Sequence, residues 1–328
     1  MEKNLIVLDD GREFGADVIC QLKFTEKVNE GKILNPGAVC PNVLEAELFA
    51  PGGNLHIPVG SDLVFYKIMD GSRQKIGLFT VADAVYTSPN RYLVTAYDRL
   101  SWLDKDLTAW LDSLDGWPYS MQTFAQMVCD ACGVHLLPGY FTNGEWPVHR
   151  FTVVNITGKK LMRWVGELSC RFCRATPDGD ISLDWYTEAE EPVWKEENQF
   201  VFLDSFSHGD YLTRAIDKVI IRADRKERGY IYGRGSNPYL ITGNQLMAVV
   251  PNESFEGLAR VLYEHLHPVQ YTPCAVTVPA GVRVKCGAIL RLRDRNSREI
   301  LMYVMKKTQR GQKCVLECTG TYSRNILL

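Results

Sequence analysis

The segment DLVFYKIMDGSRQKIGLFTVADAVYTSPNRYLVTAYD, residues 62–98, alternates apolar and polar side chains and is interrupted by turn-forming residues. Such alternation is typical of strands, because successive side chains of a strand point to opposite faces of the sheet. Asp70-Gly71 and Ser88-Pro89-Asn90 supply the turns. Outward from this segment the same pattern recurs, and the predicted strands of the first hundred residues are 17–24, 43–49, 62–69, 75–82 and 91–97. This part of the chain is therefore predicted to be all β.

The spacing of the apolar residues then changes to that of a helix. Ser120 is a typical helix N-cap and Gly133 a typical C-terminal stop, so a helix is predicted between them. A second helix is predicted after Thr157, and residues 170–186 predict a hairpin with its turn at 177–180. This middle part of the chain is predicted to form an α+β unit.

Strands resume in the last third of the chain. They are predicted at 215–223 and 229–233 and around Val276, Ile289, Tyr303 and Val315, with a helix at 254–266. The predicted fold class is therefore α+β and mainly β, with two small β-barrel domains and α+β structure inserted between them or flanking them.

The length of 328 residues exceeds the usual size of a single hydrophobic core, which predicts two or three domains. The predicted divisions are an N-terminal β-barrel at 1–100, an α+β domain at 101–209, and a second β-barrel at 210–328. The last of these contains an inserted helical segment at about 236–270.

Composition restricts the class of protein. Apolar residues make up 46% and charged residues 23% of the chain, which is ordinary for a globular protein. No window approaches the roughly 20 apolar residues of a membrane span, and the N-terminus turns acidic early, so we expect no membrane insertion and folding in the cytoplasm.

Charge is unevenly distributed although the net charge is only −2. From Val278 to the end there are eleven Lys or Arg against three Asp or Glu, whereas residues 178–197 are strongly acidic. Surfaces of opposite charge favour contacts between unlike subunits, and solvated surface charge is the alternative interpretation.

Two Cys-x-x-Cys pairs are the sharpest chemical signal among the ten cysteines. Cys129 with Cys132 and Cys170 with Cys173 have the local spacing of a four-thiolate zinc site. The first pair lies in the predicted helix and the second begins a predicted strand, where residues three apart point to opposite faces. Buried, reduced thiols are therefore favoured, and zinc remains the alternative.

Signatures of catalysis are absent from the sequence. There is no Gly-x-Ser-x-Gly elbow, no His-Glu-x-x-His pair and no phosphate-binding glycine loop, and His265 and His267 form the one close histidine pair. We therefore predict that the protein is not an enzyme and uses no cofactor.

Six phrases resemble, in the same order, segments of the tail-hub or baseplate-hub proteins of Gram-positive siphophages, prophages and phage-like particles, a family that includes the hubs of contractile tails. They are VTAYDRL at 94–100 with WLD at 102–104, ITGKKLMRWVGEL at 156–168, PDGDISLDW at 177–185, AIDKVIIR at 215–222, NPYLITGN at 237–244 and VLECTG at 315–320.

This resemblance implies a structural protein of the virion tail tip, assembled in the bacterial cytoplasm. A homotrimeric ring would join the tail tube and the distal tail protein to a tail-tip fibre or receptor-binding protein. Its channel would admit the tape measure protein and, in transit, DNA. Longer members of the family carry a lytic C-terminal extension, so we expect any lytic activity to belong to another tail protein. The alternatives are a tail-associated peptidoglycan-cleaving or zinc-dependent enzyme and a carbohydrate-binding tail adhesin.

A ring of subunits pairs strand edges that would otherwise be exposed. The predicted strand at 215–223 combines apolar residues with charges that can select a register, so we predict it as an interface strand. Its interface candidates are Ile216, Asp217, Lys218, Val219, Ile221 and Arg222.

Overall fold

The first part of the computed structural model is built from strands. The structure describes residues 3–50, 55–189, 194–195, 207–208, 215–223, 229–247, 255–293 and 299–322. The first strands are β1 (Lys3–Leu8), β2 (Glu13–Phe14), β3 (Ile19–Lys27), β4 (Val43–Phe49), β5 (Asp62–Met69), β6 (Ser72–Ser88) and β7 (Arg91–Asp98). The five strands predicted here are confirmed, and β1 and β2 are additional.

β6 is longer than the predicted strand at 75–82. Beyond Val81 its side chains lose the alternation of buried and exposed positions, so the sequence pattern carries no sign that the strand continues. At its other end, Asp70 and Gly71 both have positive φ, 50° and 80°, as a two-residue turn between twisted strands requires.

The middle part of the chain contains the predicted helices and hairpin. Its elements are α1 (Thr108–Asp112), β8 (Tyr119–Ser120), α2 (Met121–Cys132), β9 (Pro147–Val148), α3 (Gly158–Ser169), β10 (Phe172–Ala175) and β11 (Ile181–Asp184). The backbone N–H of Thr123 donates to the Ser120 hydroxyl at 3.1 Å, and Gly133 ends α2 with φ 80°. Thr157 caps α3 in the same way as Ser120 caps α2.

The last part of the chain returns to strands. Its elements are β12 (Thr187–Glu188), β13 (Trp194–Lys195), β14 (Ser207–His208), β15 (Lys218–Arg222), β16 (Tyr230–Gly233), β17 (Pro238–Thr242), α4 (Glu256–Leu266), β18 (Thr272–Pro279), β19 (Ala288–Arg293), β20 (Glu299–Arg310) and β21 (Lys313–Tyr322). β15, β16 and β17 form a separate three-stranded sheet, and α4 packs against it.

A single large sheet of 14 strands connects the two β-rich parts. The connection is the antiparallel pair of β3 and β20, in which Lys23 lies opposite Arg310. The mainly β, α+β class is therefore confirmed. Within the described residues, however, the pairing gives one continuous sheet and closes no separate barrel, because β3 and β20 pair with each other.

Two apolar clusters form the core. One lies within the first strands, from Ile6 to Ala96. The other runs from Val28 to Cys318 and unites the helices, the three-stranded sheet and the C-terminal strands. The predicted boundary at residue 210 lies outside the described residues, so the three-domain division stays a prediction. No helix in the described part of the chain is long and apolar enough to cross a membrane.

Candidate assembly surfaces

β15, which contains most of the predicted interface residues, is the central strand of its sheet. It pairs antiparallel with β16 and parallel with β17, so neither of its edges is free to pair with a neighbouring subunit. Ile216, Val219 and Ile221 are buried in the second core. The expectation of an open edge at this strand is therefore wrong, because the three-stranded sheet uses both sides of its backbone.

Asp217 has a local role. The backbone N–H groups of Ser236 and Asn237 donate to its carboxylate at 2.8 and 2.9 Å. Gly235 lies so close to this carboxylate that an added Cβ would clash with Asp217 Oδ2. Asp217 thus fixes the turn between β16 and β17.

The remaining candidates, Lys218 and Arg222, lie on the outward face of the three-stranded sheet. Lys218 and Arg222 alternate with the buried residues of β15, and Ile220 lies between them. Ile220 is opposite Ile231 on one side and Leu240 on the other, and both of these neighbours are 43% exposed. The result is an apolar row across three strands, flanked by cations. Contact of these candidates with a neighbouring subunit stays a prediction. The burial of Ile216, Val219 and Ile221 leaves Lys218 and Arg222 as the candidates of β15 whose side chains face outward.

Ile220 was missed by the sequence reasoning. The run Val219-Ile220-Ile221 is continuously apolar, which hides the alternation. The period-two rule applied from Val219 would have placed Ile220 on the opposite face.

The four zinc candidates lie in the second core. Cys129 and Cys132 lie on the buried side of α2, and Cys173 is in β10. Cys170 does not begin a strand, as the sequence suggested; it ends α3 in a left-handed conformation with φ 57°. Among the described residues, no group of three or more His, Cys, Asp or Glu side chains is arranged to hold a metal ion.

Burial makes these thiols hard to ionise. It raises the pKa of Cys132 to about 11 and that of Cys170 to about 12, and it also raises the pKa values of Cys129 and Cys173. Since the thiolate is the form that binds metal and attacks electrophiles, the fold holds these groups in their unreactive form at neutral pH. Their visible role is packing, as in the 3.8 Å contact between Cys129 Sγ and Met162 Sδ.

One face of the large sheet carries cross-strand ion pairs. Along β21, Lys313, Val315 and Glu317 are exposed and alternate with buried residues. The pairs are Lys306 with Glu317 at 2.7 Å, Arg91 with Glu47 at 2.9 Å, and Lys23 with Glu45. They lie on β20 and β21, on β4 and β7, and on β3 and β4, so this ion-paired face extends across the β3–β20 connection.

No family model and no curated protein matches the sequence. Solved structures do match: the 43 kDa tail protein of prophage MuSo2 from Shewanella oneidensis superposes with a TM-score of 0.63 at 12% identity, covering 97% of this chain and 96% of that one. This chain has the fold of prophage tail proteins.

Further structures agree with this assignment. A tail protein from Neisseria meningitidis has a TM-score of 0.61 at 11% identity, and the match covers 97% of this chain and 96% of that chain. A prophage tail protein from Listeria monocytogenes has a TM-score of 0.59 at 9% identity and covers 97% and 94%. The tail-protein fold thus spans nearly the whole chain, and the resemblance predicted from the six phrases is confirmed at the level of fold.

Proposed function

We propose that this chain is a structural, non-enzymatic component of a phage or prophage tail, one of three identical subunits in a ring at the tail tip. The observation that carries the proposal is end-to-end coverage: 97% of this chain superposes on 96% of a prophage tail protein. Both β-rich parts and the α+β unit between them therefore have counterparts in a tail protein.

The ring would join the tail tube and the distal tail protein to a tail-tip fibre or receptor-binding protein. The ion-paired face is the surface that we assign to the channel, because it is continuous over both β-rich parts. Three of its cations, Lys23, Arg91 and Lys306, are each paired with a carboxylate. Such pairing weakens the attraction of these cations for the phosphates of passing DNA, since phosphate binding depends on available Lys and Arg charge.

Localisation in particles tests the proposal. We would image particles by electron microscopy with gold-labelled antibody. The particles come from a strain in which the gene is deleted and from the same strain complemented with an epitope-tagged chain. We expect the deletion to yield no tails with completed tips and the label to lie at the tip after complementation. Normal tails in the deletion strain, or a label absent from the particles, would contradict the proposal.

A further inference from the structure

A groove of about 510 Å³ lies where three parts of the chain meet. Its walls come from the β5–β6 hairpin, the β10–β11 hairpin and the loop at 280–287. Six cations line it, namely Lys67, Lys75, Arg174, Arg283, Lys285 and Lys307, against the two acids Glu26 and Asp184. Arg283, Lys285 and Lys307 belong to the basic segment that begins at Val278, but the sequence could not show that Lys67, Lys75 and Arg174 join them, because these residues lie far apart in the chain.

Some of these cations have partners and others do not. Lys307 lies 3.9 Å from Glu26, Arg174 lies 3.7 Å from Asp184, and Lys75 lies 2.6 Å from Asp178. These three pairs lower the field of the groove without removing it, since the groove holds more cations than acids.

Arg283 and Lys285 provide surplus charge. Both side chains are exposed on the loop over the groove, and neither has an ion-pair or hydrogen-bond partner among the described residues. The loop is anchored beneath them: Lys67 Nζ donates to the Ala280 carbonyl at 2.9 Å, and Lys307 Nζ donates to the Val284 carbonyl at 2.7 Å. Two unpaired cations are thus held on a fixed loop, which favours an anionic partner.

The groove also has an apolar lining, including Ile76, Leu137 and Val282. Leu137 is 39% exposed. Nucleic acid is disfavoured as the partner because single strands bind on exposed aromatic rings, and the one aromatic lining residue, Phe24, is 4% exposed. A polypeptide segment that combines carboxylates with an apolar side chain matches the groove better.

The chain itself carries such a segment at the C-terminal end of α1. Asp112 and Asp115 are exposed, and Leu114 lies between them, half-buried. Neither carboxylate has a partner among the described residues; Arg150 and Tyr119 donate to the backbone carbonyls of the two aspartates instead. By contrast, Asp178, Asp184 and Glu188 are paired within the chain.

We propose that the acidic loop at 112–116 of one copy docks in the cationic groove of the next copy. The inference rests on the proposed ring and names the contact that closes it. Because groove and loop are different surfaces of the same chain, the contact is head-to-tail, and repetition of it generates a closed ring when the rotation permits.

Charge reversal tests the contact in the full-length chain. Arg283→Glu with Lys285→Glu reverses the charge of the groove. Asp112→Lys with Asp115→Lys reverses the charge of the loop. A third variant combines all four changes. A control carries Lys32→Glu with Arg260→Glu, which reverses two exposed cations elsewhere. Mass is measured by sedimentation velocity over a concentration series, and thermal unfolding confirms that each variant is folded.

We expect each reversed surface to raise the concentration needed for assembly about tenfold or more, because like charges then face each other. The variant that combines all four changes should regain assembly, and the control should assemble like the wild type. A wild type that stays monomeric at every concentration contradicts both the ring and the contact. If the wild type assembles and the charge reversals have no effect, the contact is overturned and the ring is not. The same holds if the variant with all four changes is folded but does not regain assembly.

Zero-length carbodiimide cross-linking of mixed ¹⁴N- and ¹⁵N-labelled protein gives an independent result. We expect an amide between Lys285 of one isotope and Asp112 or Asp115 of the other, and its loss in the groove variant. Assembled protein without this intermolecular cross-link would overturn the proposal while leaving the ring intact.

Discussion

Asp98 places a carboxyl group where an ionised carboxylate is unfavourable. The residue is 2% exposed, and its Oδ1 accepts the Leu100 N–H at 3.1 Å at the start of a 3₁₀ helix. Its Oδ2 has no hydrogen-bond partner among the described residues. Burial, reinforced by the charge of Glu26, raises the pKa of Asp98 to about 7. Asp98 belongs to the segment at 94–100 that resembles tail-hub proteins. Its hydrogen bond to the Leu100 N–H caps the 3₁₀ helix, so the residue has a structural role in that segment.

The raised pKa gives the folded protein a pH dependence. The folded state holds the proton of Asp98 more tightly than the unfolded chain does. Protonation of Asp98 therefore stabilises the folded state at low pH. This stabilisation is lost progressively as the pH rises from about 4 to about 7. Asp98→Asn removes this titration and keeps an oxygen that can cap Leu100. Relative to the wild type, the variant should therefore gain about 2 to 3 kcal/mol of unfolding free energy between pH 5 and pH 8.

Urea denaturation of both proteins at the two pH values measures this gain, with Asp17→Asn as a matched substitution at an exposed site. A difference between wild type and Asp98→Asn that does not change with pH, or that changes in the opposite direction, would contradict the assignment.

The cysteines of α2 are predicted to act through packing. Cys129→Ala with Cys132→Ala removes two buried sulfur atoms and should cost on the order of a few kcal/mol of unfolding free energy while leaving assembly intact. Urea denaturation measures the cost, and metal analysis of the purified wild type and variant accompanies it. Stoichiometric zinc in the wild type that is lost in the variant would show that the packing interpretation is wrong.

At the scale of elements, local signals predicted α2, α3 and two strands of the small sheet, but not how the strands of that sheet pair. Ser120 and Gly133 fix both ends of α2, and Thr157 fixes the start of α3, through contacts within a few residues, so the sequence predicts these three positions correctly. The small sheet depends on a parallel pair of β15 and β17 and on α4, which are separated in the chain. Such pairings have no short-range signal, so the sequence does not show that both edges of β15 are occupied.

The packing of α3 offers an element-scale test. Gly166 lies against the loop before β4, and an added Cβ would come within 2.7 Å of the Arg171 carbonyl oxygen and of Gly37 Cα. Gly166→Ala should therefore cost about 1 to 3 kcal/mol of unfolding free energy.

Gly257 in α4 is the matched control, because an added Cβ there meets nothing within 4 Å. Gly257→Ala should be neutral or stabilise by up to about 1 kcal/mol through helix propensity. Both values follow from urea denaturation. Equal effects of the two substitutions would show that the close approach of α3 to Gly37 does not constrain the fold.

At the scale of the whole molecule, the decisive feature is the pairing of β3 with β20. It joins residues such as Lys23 and Arg310 across nearly the whole chain and makes the two β-rich parts one sheet. The sequence predicted the strands on both sides, but it could not predict this connection, because strand pairing over such separations leaves no local pattern. For the same reason the sequence could not predict the two surfaces that we assign to assembly. The cationic groove and the ion-paired face each combine segments that are distant in the chain.

The symmetry of this protein inside an intact tail tip tests the central claim most directly. A single-particle reconstruction, calculated without imposed symmetry, would count the copies of the chain and show which faces meet. We predict three copies around a channel, with the ion-paired face towards the lumen and each acidic loop in a neighbour's cationic groove. A single copy or six copies at the tip would contradict the account.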